Sequence, residues 1–276
     1  MSNFLQRTFT GGLFGVLVYG SLFAGRFAFF VFYITLLILS LLEFYKLTGN
    51  KGVHVQKYFA VFASVVLFIL LYGYSAGYFP LRWISVIVIF PVAMMIIELY
   101  RKKGKTFDNL AWTFYGIIYV ALPLSLLNLL VFPGEIAGYR YNPGIVAGVF
   151  ILIMINDTVA YLIGVPIGRT RLFESVSPNK SWEGTAGGAL AVFAAAWFMT
   201  KLFPMAGTKE WLGIAVIVAV FGVFGDLVES QFKRELGIKD SGSLLPGHGG
   251  LLDRIDAWLF VIPAVWVFFN FFDYLK

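Results

Sequence analysis

Long apolar runs separated by short charged segments constrain this chain more than any other feature of its sequence. Each run has about 20 residues, the length that an α-helix needs to cross the hydrocarbon core of a bilayer. Only 13% of the 276 residues are charged, about half the share of a soluble domain, so the chain has too little polar surface for a soluble fold. Apolar and polar residues do not alternate as they do in an outer-membrane barrel. The sequence therefore predicts an all-α, polytopic transmembrane protein.

We predict about nine spanning helices, although the first two runs are poorly separated and form either two spans, one hairpin, or a span and an interfacial helix. The predicted spans are Phe9–Ala24, Phe27–Phe44, Tyr58–Tyr78, Trp83–Tyr100, Asn109–Val131, Pro143–Gly164, Trp182–Phe203, Trp211–Gln231 and Leu252–Tyr274. With this count, fifteen of the 21 Lys and Arg residues fall on the side of the amino terminus. Because cytoplasmic loops carry the excess of positive charge, we expect a cytoplasmic amino terminus in a cell (inner) membrane.

The net charge of +6 is explained by cytoplasmic loops beside anionic lipid, without nucleic acid as a partner. Cysteine is absent, which excludes disulfides and Cys-ligated metal sites.

Acidic residues enter the apolar runs only after about residue 155. We therefore interpret residues 1–140 as a transmembrane scaffold of about five spans, and residues 141–276 as a catalytic transmembrane region of about four spans with cytoplasmic loops.

The polar residues of this second half predict a metal site. A carboxylate at mid-bilayer costs about 2.5–3.5 kcal/mol, so several of them must line a wet cavity, bind cations, or lie at the cytoplasmic ends of their helices. Asp226 and Glu229 share one helical face with Lys233, and Asp253 and Asp256 share another. Opposed carboxylates supply the hard oxygen ligands that Mg²⁺ requires. The alternative is that these acids form internal salt bridges with Lys233, Arg234 and Arg254.

Two segments predict contacts with phosphate groups. Residues 239–250 place three glycines around His248, expose backbone N–H groups and lead into a helix start, which favours anions. Lys233, Arg234 and Lys239 add positive charge, although an ordinary glycine-rich connector is the alternative. The second segment, residues 177–184, begins with Ser177 and Pro178, a pair typical of a helix start. Its Lys180 and Ser181 would hold a second anion, whereas Gly184 and Gly188 suit close helix packing.

The residues from Ser230 to Asp256 resemble the signature of phosphatidate cytidylyltransferases, also called CDP-diacylglycerol synthases. The matching positions are Ser230, Lys233, Arg234, Lys239, Asp240, His248, Gly249, Gly250, Asp253, Arg254 and Asp256. Upstream positions are also similar to the family, namely Asn156, Asp157, Ser177, Lys180, Ser181 and Glu183. The resemblance covers roughly residues 155–260.

The resemblance implies that CTP and phosphatidate, a membrane lipid, react to give CDP-diacylglycerol and pyrophosphate with Mg²⁺. Family members are also described with K⁺ beside the Mg²⁺ and as homodimers. It assigns Asp226, Asp253 and Glu229 to the metal, and Asp226, Asp253, His248, Lys233 and Arg234 to catalysis. The remaining matched residues are assigned to substrate binding. A phosphate monoester is already anionic at neutral pH, so no strong general base is required, and we assign His248 to hydrogen bonding or leaving-group stabilisation.

Two other functions fit parts of the same pattern. A CTP-dependent lipid kinase, such as a polyprenol kinase, would share the membrane, nucleotide and metal requirements but transfer the γ-phosphoryl group to an alcohol. A cation-coupled transporter would also need carboxylates within the membrane. The basic glycine-rich segment and the clustering of acids toward one side favour the cytidylyltransferase.

Overall fold

The computed structural model describes residues 3–49, 52–133, 140–238, 241–242 and 249–272, and helices dominate these ranges. Lys239, Asp240 and His248 lie outside the described residues. The helices are α1 (Asn3–Phe23), α2 (Arg26–Thr48), α3 (Lys57–Ser75), α4 (Leu81–Arg101), α5 (Thr106–Val131), α6 (Gly144–Ile167), α7 (Trp182–Leu202), α8 (Thr208–Glu235) and α9 (Leu252–Phe271). Helix α4 begins with a 3₁₀ segment, and α5 and α8 contain the π-helical segments Ile117–Ala121 and Val218–Gly222.

The predicted all-α, multi-pass architecture is confirmed. Among the described helices, α2 to α8 are long and apolar enough to cross a membrane. Helix α1 offers a shorter apolar part, Phe9–Phe23, and α9 is not among the seven candidate spans. The count of nine spans and the cytoplasmic amino terminus therefore stay predictions.

The chain forms two compact units. Unit 1 comprises Met1–Tyr141 and Asp240–Arg254, and unit 2 comprises Asn142–Lys239 and Ile255–Lys276. Helix α9 begins in unit 1 and continues in unit 2. The assignment of scaffold and catalytic roles to residues 1–140 and 141–276 stays a prediction.

Unit 1 is held together by apolar packing and by polar contacts between helices. The Tyr45 hydroxyl of α2 donates to the Thr113 carbonyl of α5 over 2.6 Å. Gly116 makes this approach possible, because a Cβ there would lie 2.6–2.7 Å from atoms of the Tyr45 ring. A buried carboxylate, Glu98, accepts hydrogen bonds from Gln56, Asn109 and Arg101. Each partner lies in unit 1, so this network ties α4 to α5 and to the segment before α3.

Glycines allow the helices of unit 2 to cross closely. A Cβ on Gly184 of α7 would lie 2.6 Å from the Ala160 carbonyl oxygen of α6, and one on Gly188 would lie 2.7 Å from that of Asn156. The interpretation of Gly184 and Gly188 as packing residues is thus confirmed. Gly225 of α8 has the same role against α9, since its Cβ would lie 2.6 Å from the Asp256 carbonyl oxygen.

A short hairpin interrupts the helices of unit 2. Strands β1 (Arg171–Phe173) and β2 (Ser177–Ser181) pair antiparallel. The predicted helix start at Ser177 and Pro178 is therefore wrong, because hairpin pairing takes these residues into β2. Helix α7 begins at Trp182 instead, and the side chain of Ser181 caps it by accepting from the Gly184 N–H over 3.2 Å.

Candidate active site

Three carboxylates meet between α8 and α9 in unit 2. Asp226, Glu229 and Asp256 each offer an oxygen, and these atoms lie within 4.8 Å of one another. Asp226 and Glu229 are three residues apart on α8, which places them on one face. Gly225 brings the backbone of α9 against α8 at Asp256. Helical spacing and one close crossing thus assemble the group, which we call the acidic cluster.

Two lysines neutralise part of the acidic cluster. Lys180 of β2 forms an ion pair with Asp226, and Lys233 of α8 forms one with Glu229. The Glu229 side chain is almost fully buried, whereas that of Asp226 is 39% exposed. Ser230 also contributes, since its hydroxyl donates to Asp226 Oδ1 over 3.1 Å. Of the internal salt bridges considered as the alternative, the pair of Glu229 with Lys233 is present, whereas Asp226 pairs with Lys180 and stays partly exposed.

Helix α6 brings a fourth acid toward the acidic cluster. Asp157 lies within electrostatic range of Lys180, Asp226 and Asp256. Its neighbour Asn156 is buried and donates from Nδ2 to Asp157 Oδ1 over 3.3 Å. Asn156 Oδ1 accepts no hydrogen bond from any described residue. Four carboxylates thus face two ammonium groups, which leaves the region with excess negative charge.

The donor set of the acidic cluster suits a divalent metal. Carboxylate oxygens are the ligands that Mg²⁺ and Ca²⁺ take in proteins. Oxygens on opposite sides of such an ion are about 4–5 Å apart, which matches the 4.8 Å limit of the cluster. A bound cation would also offset the mutual repulsion of the three carboxylates.

Ser177, Ser181 and Glu183 shape the segment that carries Lys180. Ser177 and Ser181 are the terminal residues of β2, and Ser181 is buried as the cap of α7. The Glu183 carboxylate accepts from the backbone N–H groups of Arg169 and Thr170 over 3.1–3.2 Å. These contacts fix the hairpin beside α7. Direct roles of these residues toward substrate stay predictions.

Asp253 has different surroundings, in unit 1. Its Oδ2 accepts from the N–H and the hydroxyl of Ser241, both at 3.0 Å, and from the Gly250 N–H at 2.7 Å. Asp256, which we predicted to bind substrate, lies in the acidic cluster. The assignment of Asp253 to the metal stays a prediction.

Sequence reasoning missed Glu43 of α2. Glu43 is only 6% exposed. It accepts from the Ser241 hydroxyl at 2.8 Å and from the N–H groups of Leu251 and Leu252 at 3.1 and 3.0 Å. These amides at the start of α9 are therefore occupied by a carboxylate of the same unit. The only signal in the sequence was a lone acid between Leu41-Leu42 and Phe44-Tyr45.

The remaining predicted residues fall into two groups. Arg234 and Arg254 are exposed, and Gly249 has a φ of +82°, which favours glycine. Lys239, Asp240 and His248 lie outside the described residues, as does most of the glycine-rich segment 239–250 that we predicted to contact phosphate. Phosphate binding by these residues stays a prediction.

The chain is similar to known proteins over most of its length. The sequence model of the cytidylyltransferase family matches residues 5–272. A phosphatidate cytidylyltransferase of Staphylococcus aureus (strain COL) is 31% identical over 273 residues, covering 94% of this chain and 96% of that protein. The phosphatidate cytidylyltransferase of Staphylococcus haemolyticus (strain JCSC1435) is 31% identical over 235 residues, covering 83% of this chain and 85% of that protein. Since the match extends over nearly the whole chain, and not only over the region of the signature, the chain belongs to the cytidylyltransferase family.

Proposed function

We propose that this protein is a phosphatidate cytidylyltransferase, a nucleotidyltransferase of phospholipid biosynthesis that converts CTP and phosphatidate to CDP-diacylglycerol and pyrophosphate. The observation that carries the proposal is the acidic cluster with its lysines, found in a chain whose relatives bear that name. An oxygen of the lipid phosphate attacks the α-phosphorus of CTP. The bond from that phosphorus to the oxygen bridging the α- and β-phosphates breaks, and pyrophosphate leaves.

Charge explains why the acidic cluster suits this reaction. Both substrates are anions, and the lipid phosphate needs no base because its second pKa is near 6. The four carboxylates near Lys180 would repel a triphosphate unless a cation lies between them. Asp226, Glu229 and Asp256 would hold a divalent cation, proposed as Mg²⁺, which when bound supplies positive charge against the phosphate oxygens.

The protein's own side chains hold and orient these groups. Lys180 keeps a partly exposed ammonium beside Asp226, where it is placed to contact a phosphate oxygen. Lys233 balances buried Glu229. Ser230 fixes the orientation of the Asp226 carboxylate. His248 and Lys239 are proposed to contact the departing pyrophosphate, on the basis of the family resemblance.

The membrane setting follows the same logic. Phosphatidate reaches the site from the bilayer, and CTP reaches it from the cytosol. The excess of Lys and Arg on the predicted cytoplasmic side supports an active site on that face of the inner membrane. A homodimer and a K⁺ ion beside the Mg²⁺ are carried over from the family resemblance.

Labelled CTP tests the proposed function. Purified full-length protein in phosphatidate-containing vesicles receives CTP labelled at the α- or the γ-phosphate, with Mg²⁺ or with a chelator. We expect α-label in the lipid and one pyrophosphate released per lipid product, both dependent on Mg²⁺. Entry of γ-label into lipid would instead identify a lipid kinase, tested with a polyprenol added to the vesicles. Cation flux without CTP turnover would identify a transporter.

A further inference from the structure

Glu43 is a buried carboxylate for which neither the family signature nor the proposed mechanism has a role. It lies in α2, between the buried residues Leu41 and Phe44. Burying an ionised carboxylate is costly unless hydrogen bonds compensate. The partners of Glu43 therefore indicate what the residue does.

All three described partners of Glu43 belong to one distant segment of unit 1. Oε1 accepts from the Ser241 hydroxyl and the Leu252 N–H, and Oε2 accepts from the Leu251 N–H. These donors are 198 to 209 residues away in the chain. Glu43 thus joins α2 to Ser241 and to the start of α9.

The carboxylate of Glu43 acts as a cap supplied by another helix. The first N–H groups of a helix have no partners within it and carry partial positive charge. Helix α9 begins at Leu252. Glu43 therefore accepts from the N–H of the first residue of α9 and from the N–H of Leu251, the residue before it. Leu251 and Leu252 are themselves buried, which leaves these N–H groups little access to water.

Two glycines make room for Glu43. A Cβ on Gly242 would lie 2.8 Å from Glu43 Oε2 and 3.0 Å from its Cδ. A Cβ on Gly250 would also collide with the Glu43 carboxylate. Neither glycine has a positive φ. Glycine is therefore required by close contacts and not by backbone conformation, with Glu43 at Gly242 and with both Ser241 and Glu43 at Gly250.

Ser241 links Glu43 to Asp253. Its hydroxyl lies 2.8 Å from Glu43 Oε1 and 3.0 Å from Asp253 Oδ2, and its N–H donates to Asp253 as well. Gly250 N–H completes the contacts of Asp253 Oδ2. Glu43 therefore holds in place the residues that orient the Asp253 carboxylate.

We infer that Glu43 is a positioning residue for the cytidylyl transfer, acting through Ser241 and the start of α9 on Asp253. The inference rests on the proposed function for its catalytic consequence. Misplacing a reacting group by about 1 Å costs on the order of a hundredfold in rate. Glu43→Gln keeps the shape of the side chain but replaces one acceptor by a donor that faces backbone N–H groups.

Steady-state kinetics compare Glu43→Gln with the matched control Glu98→Gln, in full-length protein at a temperature where both are folded. Glu98 is also a buried acid of unit 1, bound by Gln56, Asn109 and Arg101. We expect kcat to fall about 10- to 100-fold in Glu43→Gln, with the KM for CTP nearly unchanged, and less than about threefold in Glu98→Gln. Equal losses in the two variants would contradict the inference.

A pair of small substitutions tests the geometry. Gly242→Ala alone places a methyl group against Glu43, and we expect kcat to fall about tenfold. In a Glu43→Ala background the same methyl group meets no carboxylate, so Gly242→Ala should cause little further loss. If the two losses multiply, Glu43 and Gly242 are not coupled and the inference fails.

Hydrogen exchange separates this inference from the proposed function. In Glu43→Gln, the amides of Leu251 and Leu252 should exchange at least about tenfold faster than in the wild type, and in Glu98→Gln at the wild-type rate. Unchanged exchange in Glu43→Gln overturns the inference even if the enzyme makes CDP-diacylglycerol. A wild-type protein that makes none overturns the proposed function, whatever the exchange shows.

Discussion

Two carboxylates of unit 1, Glu43 and Asp253, are stabilised differently from the three carboxylates of the acidic cluster in unit 2. In unit 1, Glu43 and Asp253 accept hydrogen bonds from backbone N–H groups and from the Ser241 hydroxyl. In unit 2, Asp226, Glu229 and Asp256 lie within 4.8 Å of one another and receive two lysines. The first pair organises its surrounding chain. The second group concentrates more negative charge than the side chains around it neutralise.

This difference separates two uses of an acid in a membrane protein. Hydrogen bonds to a charged acceptor contribute about 1.5–3 kcal/mol each, so a carboxylate with several fixed donors stabilises the fold without a cation. Like charges held a few ångströms apart destabilise the fold until an ion offsets them. Substitutions of the unit 1 acids Glu43 and Asp253 should therefore lower stability as well as activity, whereas substitutions in the acidic cluster of unit 2 should lower activity without lowering stability. Each prediction below tests that contrast.

The largest expected effect is on catalysis. Asp226→Asn removes the charge that the acidic cluster offers to a cation and to Lys180. Since a catalytic metal contributes several kcal/mol, we expect kcat/KM for CTP to fall about a thousandfold. The α-label transfer assay measures the loss. Glu174→Gln, at an exposed residue of the hairpin turn, serves as the control and should keep wild-type activity.

Raised Mg²⁺ sharpens this test. If Asp226 acts through a cation, higher Mg²⁺ should restore part of the activity of Asp226→Asn, because the remaining acids bind the ion more weakly. Wild-type activity of Asp226→Asn at low Mg²⁺ would contradict the role of the acidic cluster.

A stability effect should follow in unit 1. Glu43→Ala removes the acceptor of two buried N–H groups and of the Ser241 hydroxyl. Each unsatisfied buried donor costs about 1–3 kcal/mol, so we expect a loss of about 3 kcal/mol, since Ser241 retains Asp253 as an acceptor. Thermal melting in detergent measures the change, with Glu174→Ala as an exposed control. A melting temperature equal to that of the wild type would mean that water replaces Glu43.

Sequence reasoning correctly predicted features that depend on local patterns of residues. Hydropathy placed a span at Trp182–Phe203, and α7 runs over Trp182–Leu202. Helical spacing placed Asp226 and Glu229 on one face, as the acidic cluster shows. Both inferences need only the rise and the periodicity of a helix.

Features set by tertiary contact were not predictable in this way. Asp253 and Asp256 share a face in the sequence pattern, and the crossing at Gly225 brings the second of them into the acidic cluster. Glu43 finds its donors about 200 residues away, a pairing that no local pattern encodes. The strands of the hairpin have only three and five residues, which is too short to be recognised from sequence. Ser177 and Pro178, in contrast, are a pair typical of a helix start.

A stability effect of opposite sign should appear in unit 2. Asp256→Asn removes one of three close carboxylates. At a pH high enough to ionise all three, and without a cation, this should stabilise the fold by about 1–2 kcal/mol. Melting in the presence of a chelator measures the gain. Adding Mg²⁺ should raise the melting temperature of the wild type more than that of the variant, because the variant binds the ion less tightly. A destabilised variant in chelator would show that the hydrogen bond from the Ala257 N–H to Asp256 Oδ1, at 2.7 Å, outweighs the repulsion between the carboxylates.

The smallest effect concerns Ser230, whose hydroxyl donates to Asp226 Oδ1 over 3.1 Å. Ser230→Ala leaves the charges of the acidic cluster in place and removes one hydrogen bond that orients Asp226. Such a bond contributes about 1 kcal/mol, so kcat/KM should fall about fivefold while the melting temperature stays nearly constant. Ser75→Ala is the matched control, since its hydroxyl donates within its own helix to the Leu71 carbonyl. If Ser230→Ala lowered stability but not activity, Asp226 would be a fold-stabilising acid like Glu43, and the contrast between the two units would fail at its central residue.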